Sequence, residues 1–399
     1  MRIAFYSDIF YPEISGIADS IIATGRELAQ RGHDIGYFVS EYSKKDYKLA
    51  GSSHSSESAP PDVDWDFTAH RLPAVGAPGS PTGQWRLVAP FGASLPHLRK
   101  FKPDIIHTQT PFGAGFEALL ASSVLDVPLI GTNHTPIEEF VGYVPLLGRR
   151  LSKVAGRYSA WYYNRCAYVT APNDRLIEDM RRMRFVRPAR AVANPVRLGA
   201  FKPACAERKR EIRKALGLSG PVVMYAGRLA AEKHVDVVLR AIARLPPQVP
   251  ATLIATGHGQ AEKSLRALAI DLKLGARAQF TGFVSLERLA EFYQAADVFV
   301  MMSTAETQSL ALMQAFASGL PAVVARAQGL PEHVSAACCF LVEPGDETAL
   351  AERLGQLLAD EKLRVSMGAS AVEFARRYAP ALIAEQWEHI YRRHATEHC

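Results

Sequence analysis

Three segments of this 399-residue chain carry side chains that could hold and activate a phosphate-linked group. The stretch Ser303-Thr304-Ala305-Glu306-Thr307-Gln308-Ser309-Leu310 follows an apolar strand-like run, 298–302, and leads into a small-residue helix that stops at Ser318-Gly319-Leu320-Pro321. Amides at a helix start lack intrahelical acceptors, so those of Ser309 and Leu310 offer a phosphate site. Glu306 stands just before them, placed to touch whatever the phosphate carries. A second segment, Gly227-Arg228-Leu229-Ala230-Ala231-Glu232-Lys233, follows another apolar run. Gly227 permits a tight turn, and the Arg228 fork with the Lys233 point charge suits a diphosphate. A GRxxxxK spacing alone is common and gains weight only beside Glu306. Between the two, Thr256-Gly257-His258-Gly259 and Thr281-Gly282-Phe283-Val284 place glycines at strand ends, where a flat base or ribose could lie on backbone. An ordinary turn explains either glycine taken separately. In the N-terminal half, His107 and His134 end the runs 104–109 and 128–135. A lone histidine is usually structural, and His107 is read so; His134, beside Thr132 and Thr135, is the better site candidate.

The elements needed to position these groups alternate strand and helix along the whole chain. A strand at 3–7, a helix at 18–30 and a strand at 35–39 make a βαβ start, which implies a parallel sheet. The loop between them offers Gly16 alone and no GxGxxG, which argues against a nicotinamide or flavin cofactor. Residues 41–64 have the composition of a mobile surface loop, and a helix kinked near Pro90 or Pro96 is expected over 85–100. The pattern resets near 196–204 and a second alternating series begins at 222. The expected architecture is therefore α/β, with two doubly wound Rossmann-like domains facing each other across a cleft. Their spans are 1–198 and 199–375. A mostly helical tail, broken at Pro380, carries Trp387 and Tyr391 on one face, and over 376–399 it is expected to cross back onto the first domain.

Composition narrows the classes further. Hydrophobic residues make up 48% and charged residues 22%, a globular composition with no apolar run approaching the 18 residues of a membrane span. The N-terminus lacks a signal-peptide core and reads as a first strand. Cys166, Cys205, Cys338, Cys339 and Cys399 are odd in number and form no CxxC, as expected of reduced thiols in a cytosolic protein. The net charge of +6 is concentrated: residues 149–197 hold twelve Lys/Arg against three acids. That block reads either as a surface for an anionic partner or as a solvated helix face. Its first part, with Arg149, Arg150, Lys153, Arg157, Tyr158, Trp161, Tyr162 and Tyr163, reads either as a helix lying on an anionic bilayer or as a core helix with its aromatics inward. No nucleic-acid-reading module accompanies it.

Taken in order, YPEISG, NHTPIEEF, GRLAAEK, GHG, FTGFV, AADVFVMMS and ETQSLALMQAFASGLP resemble the retaining glycosyltransferases of family 4, which have the GT-B fold. The resemblance spans essentially the whole chain. It implies that Arg228 and Lys233 hold the donor diphosphate, that Glu306 hydrogen-bonds the donor sugar, and that His134 contacts that sugar from the first domain. Gly16, Gly227, Gly257, Val284, Gln308, Ser309, Leu310 and Gln314 complete the donor side, while Tyr11, Ile14, Ser15, Glu138 and Tyr143 fall on the acceptor side. It also implies that no metal and no cofactor is required. One position departs from the family pattern. The second Glu of its E-x7-E, which takes the ribose hydroxyls, is Gln314 here. A neutral amide forfeits a charge-assisted bond, a loss of about 1 kcal/mol.

The ETQSL and NHTPIEEF runs resemble lipid-glycosylating members such as diacylglycerol glycosyltransferases. The implied reaction moves a hexose, from a UDP-sugar by preference, to a membrane lipid at the inner face of the cell membrane. The alternatives are a mannosyl- or glucosyltransferase of cell-surface polysaccharide or lipid-linked oligosaccharide assembly, or a nucleotide-sugar-binding protein without transferase activity.

Overall fold

The computed structural model describes residues 1–13, 15–49, 68–77, 84–134, 136, 148–197 and 199–396, so the expectations for Ile14, Glu138 and Tyr143 lie outside the described residues. Two compact units divide the chain: Met1–Pro195 with Pro380–Cys399, and Val196–Ala379.

The first unit holds a seven-stranded sheet. In chain order its strands are β1 (Arg2–Ser7), β2 (Asp34–Ser40), β3 (Thr68–Leu72), β6 (Ile105–Thr108), β7 (Leu129–Thr132), β8 (Tyr168–Ala171) and β9 (Ala189–Ala191), with β4 (Ala74–Gly76) and β5 (Arg86–Val88) forming a separate hairpin. The spatial order is β3-β2-β1-β6-β7-β8-β9, and every pairing in it is parallel. Strands covered on both faces must be apolar throughout, and β6 and β7 are buried at every position. Strand order reverses between β1 and β6, and the crevice beyond their carboxyl ends is where such a sheet takes ligands.

The helix expected over 85–100 is not formed. Arg86-Leu87-Val88 instead pairs antiparallel with Ala74-Val75-Gly76, and the helix that follows is confined to Leu95–Phe101. The two prolines account for the difference: Pro90 lies beyond the strand, and Pro96 sits in the first helical turn, where a missing amide costs nothing. Residues 44–49 of the expected loop are helical, and a helix at Gly113–Leu125 fills the space before β7.

The C-terminal helix Pro380–Thr396 belongs to the first unit, where Ile383, Ala384, Trp387, Ile390 and Tyr391 join the same apolar cluster as Ile3, Phe5, Ile105 and Ile130. Trp387 and Tyr391 are 5% and 0% exposed. At about 25 cal/mol per Å² and roughly 200 Å² each, their burial contributes on the order of 5 kcal/mol apiece. Ala379 is extended immediately before Pro380, the backbone a residue preceding proline adopts, so the break falls where the sequence placed it.

In the second unit β10 (Val222–Ala226), β11 (Thr252–Thr256), β12 (Ala278–Gly282), β13 (Val298–Met301), β14 (Ala322–Ala325) and β15 (Cys339–Val342) form a parallel sheet in the order β12-β11-β10-β13-β14-β15. Here the reversal falls between β10 and β13. These are the two strands that carry the Gly227–Lys233 and Ser303–Leu310 segments.

Candidate active site

Glycine geometry builds the floor of the second unit's site. Gly227 and Gly257, at φ 151° and 125°, extend the ladder past the strand ends. Gly227 N donates to Thr256 O at 3.0 Å, Leu229 N to His258 O at 2.9 Å and Gly257 N to Gly282 O at 3.0 Å. A Cβ on Gly257 would stand 2.1 Å from Gly227 O, and one on Gly259 2.1 Å from Leu229 O, so neither position accepts a side chain. Beside this floor the exposed Phe283 ring meets His258 edge-on at 4.8 Å, and His258 Nδ1 lies 2.7 Å from Glu262 Oε2. Val284 follows, half-buried.

Charge gathers at the switch point. After Gly227 a 3₁₀ turn, Ala231–Lys233, carries the lysine inward, and Lys233 Nζ donates to Glu306 Oε1 at 2.6 Å with the two side chains 12% and 16% exposed. Arg228 Nη2 donates to Glu232 Oε1 at 2.8 Å. Thr304 N donates to Glu232 O at 3.0 Å, which ties the turn to the Glu306 loop. Two cations and two carboxylates therefore face one another across adjacent strand ends. Beneath them the buried Tyr225 donates to Arg228 O at 2.8 Å, and burial, followed by the charges of Glu306 and Glu232, pushes its pKa well above the ordinary phenol value.

The helix Leu310–Ala317 opens on Ser309 as its N-cap, whose Oγ accepts from Leu312 N at 3.2 Å. That cap satisfies the third amide of the helix and leaves those of Leu310 and Ala311 with no acceptor inside it. Gln308 is buried just before the cap. One turn on, Gln314 is half-buried, and the fully buried Tyr293 hydroxyl lies 3.3 Å from its Oε1 and 3.0 Å from Ala311 O.

The first unit presents a different kind of site. His134 ends β7 and is 6% exposed, with Nε2 2.6 Å from Gln109 Oε1 at the end of β6. Burial pushes its pKa down to about 4, with the Asn194 side chain acting against that, so the imidazole is neutral at pH 7. Ser20 Oγ donates to Asn194 Oδ1 at 2.8 Å, which links the first helix to the same cluster. Two residues back on each strand, His107 lies 2.7 Å from both Tyr391 Oη and Thr132 Oγ1, the packed role expected of it. Gly16 is exposed at the first residue of the helix Gly16–Gln30, and Ser15 is its N-cap, accepting from Ile17 N. Tyr11 packs its ring on Tyr47, and its carbonyl accepts from Arg71.

The candidate residues thus fall into two groups. Gly227, Arg228, Lys233, Gly257, Glu306, Gln308, Ser309, Leu310 and Gln314 share the carboxyl end of the second sheet, while Tyr11, Ser15, Gly16 and His134 belong to the first unit. Sequence reasoning passed over Glu232, Gln109 and Asn194, whose partners stand 4, 25 and 60 positions away. Only the Arg228–Glu232 spacing of four was visible as a local signal. Among the described residues no group of three or more His, Cys, Asp or Glu side chains could hold a metal ion.

The helix Gly148–Tyr163 has a buried side and an exposed one. Tyr162 and Tyr163 are fully buried, whereas Lys153, Val154, Arg157 and Trp161 lie on an outward face, with Val154 59% and Trp161 44% exposed. Farther along the basic block, Arg175 and Arg182 pair with Asp179 at 3.2 and 2.6 Å. No described helix is long and apolar enough to cross a membrane.

Residues 14–199 match the Glycosyltransferase Family 4 model and residues 208–374 the Glycosyl transferases group 1 model. The chain is 27% identical over 331 residues to an alpha-monoglucosyldiacylglycerol synthase of Streptococcus pneumoniae, covering 81% of this chain and 70% of that one. It is 27% identical over 389 residues to a GDP-mannose-dependent alpha-mannosyltransferase of Mycolicibacterium smegmatis, covering 95% and 94%. Among solved structures, sucrose-phosphate synthase from Thermosynechococcus elongatus superposes with a TM-score of 0.78 at 21% identity, over 98% of both chains. The two sheets, the charged switch point of the second, and two family matches that between them run from residue 14 to residue 374 establish the chain as a glycosyltransferase of family 4 with the GT-B fold.

Proposed function

We propose that the enzyme transfers a hexose, with retention of anomeric configuration, from a nucleotide-diphosphate sugar, UDP-linked by preference, to the hydroxyl of a membrane lipid such as diacylglycerol. The observation that carries this reading is the Lys233–Glu306 contact beside Arg228 at the β10/β13 switch point. A donor seated there places its diphosphate against Arg228, Lys233 and the Leu310 and Ala311 amides, and its sugar hydroxyls against Glu306. The bond from the anomeric carbon to the diphosphate oxygen breaks, and its electron pair leaves with the diphosphate. The fixed cations stabilise that charge as it develops. The acceptor oxygen bonds to the same face of the anomeric carbon, and its proton passes to the departing phosphate oxygen. His134, neutral and buried, acts as a hydrogen-bonding partner of the sugar and not as a cation. Two protein cations do the work a divalent metal could do, so the scheme uses none, and transfer is expected to persist in excess EDTA.

The lipid acceptor is supported by the similarity to the diacylglycerol-glycosylating relative and by the outward face at Lys153, Val154, Arg157 and Trp161, which combines apolar anchors with cations as a peripheral membrane contact does. The test is glucose transfer from UDP-glucose to diacylglycerol in vesicles containing anionic lipid. Glucosyl-diacylglycerol with retained configuration, and salt-sensitive sedimentation with the vesicles, are expected. Turnover only on water-soluble acceptors, or the absence of vesicle binding at low salt, would overturn the lipid assignment. The mannosyltransferase similarity over nearly the whole chain favours a second reading, mannosyl transfer in polysaccharide or lipid-linked oligosaccharide assembly, which GDP-mannose in the same assay would reveal.

A further inference from the structure

Glu306 is held from behind by a turn that none of the motifs includes. We infer that Tyr378 and His333 are positioning residues for Glu306, acting through the backbone of Thr307. The 3₁₀ turn Leu330–His333 follows β14, and the residue before it, Gly329, donates its amide to Glu306 O at 2.9 Å. His333, 5% exposed, closes the turn, and its Nδ1 lies 2.9 Å from Tyr378 Oη. Burial holds the Tyr378 phenol protonated, so the hydroxyl donates and Nδ1 accepts. Burial also pushes the His333 pKa down to about 4, with the Thr307 backbone acting against that. A neutral ring accepting at Nδ1 carries its one proton on Nε2, where the Thr307 carbonyl can receive it. The turn thus holds the Glu306 carbonyl through Gly329 N and lays the His333 ring against the Thr307 backbone. Tyr378 is itself fixed, since its carbonyl accepts from Val196 N at 2.8 Å.

Removing the phenol hydroxyl leaves Nδ1 buried without its donor. Nothing then fixes the orientation of the ring, and the turn that holds the Glu306 loop is loosened. The Arg228 and Lys233 contacts to diphosphate do not pass through this turn. The signature is thus a loss of what the sugar adds to binding, with the nucleotide part unchanged.

The inference rests on Glu306 as the residue that holds the donor sugar. Calorimetry on the full chain with UDP and with UDP-glucose gives the ratio of the two dissociation constants, which is the sugar's contribution. In Tyr378→Phe and His333→Leu that ratio is expected to fall about tenfold, while UDP affinity stays within about twofold. His333→Gln, whose amide can accept from Tyr378 and donate toward Thr307, is expected to keep it. Should His333→Leu fail to fold, Tyr378→Phe, which removes a single atom, carries the test. An unchanged ratio in Tyr378→Phe, with the ratio lost in Glu306→Gln, overturns this inference alone, as does an equal loss for UDP and UDP-glucose. A ratio near one in the wild type, or an intact ratio in Glu306→Gln, overturns the reading of Glu306 and this inference together.

Discussion

The two units use one topology for opposite electrostatics. At the switch point of the second, Arg228 and Lys233 face Glu232 and Glu306 within hydrogen-bonding distance. In the first, burial disfavours the charged form of the groups near the strand ends. Burial drives His134 to about 4 and His107 well below the ordinary imidazole range, and it raises Asp8 to about 6 and Glu13 to about 7. Each unit also props a buried imidazole on a tyrosine near the C-terminus, His333 on Tyr378 and His107 on Tyr391. The same prop serves a charged loop in one unit and a neutral strand end in the other. What differs is exposure: the ion pairs keep part of their surface in water, where charge is inexpensive, and the titratable groups of the first unit are almost wholly enclosed.

That contrast can be broken at the charged side first. Arg228→Ala removes a cation that meets developing negative charge, and turnover is expected to fall by about 10² or more; a smaller loss than that of His134→Ala would reverse the contrast. His134→Ala removes one neutral hydrogen bond, so steady-state kinetics should record a loss of roughly tenfold. Smaller still, Gln314→Glu converts a neutral acceptor into a carboxylate while keeping the Tyr293 contact. Donor affinity is expected to tighten about fivefold by calorimetry, and weaker binding would remove position 314 from the donor site.

The neutral side is sharpened by stability against pH. Glu13 is 5% exposed and bonded to Tyr42 Oη at 3.1 Å, with Asp46 and Asp8 adding like charge. Its folded pKa, about 7, lies above the unfolded value near 4.3, so the folded state binds more protons between these limits and stability falls as pH rises through them. Glu13→Gln removes that cost. Its melting temperature relative to the wild type is expected to rise between pH 5 and pH 8, by an amount corresponding to about 1–3 kcal/mol, and a flat difference would show Glu13 already ionised in the fold.

Much of this fold could be read from residue order because the inner strands of both sheets are buried on two faces, which makes them continuous apolar runs. The strands at 222–226 and 298–302 and the break at Pro380 were legible for that reason. The hairpin Ala74–Gly76 with Arg86–Val88 was not: its strands are three residues long, and their pairing joins residues ten to fourteen positions apart. The helix Gly113–Leu125 escaped notice because its sequence is apolar or small on nearly every face, which leaves no helical period to find. In the site, spacing exposed the groups that a ligand would touch and concealed those that hold them. Arg228 and Glu306 stand in a motif, whereas the Tyr378–His333 contact joins residues 45 apart that nothing local connects.

The central claim is that the Lys233 and Glu306 side chains, which meet at 2.6 Å, do different work on one donor: lysine on the diphosphate, glutamate on the sugar. The most direct measurement is binding of UDP and UDP-glucose to Lys233→Ala and Glu306→Gln. The account predicts that Lys233→Ala weakens both ligands by a similar factor of about ten or more, and that Glu306→Gln weakens only UDP-glucose. Wild-type affinity for UDP in Lys233→Ala, or an equal loss of both ligands in Glu306→Gln, would contradict it.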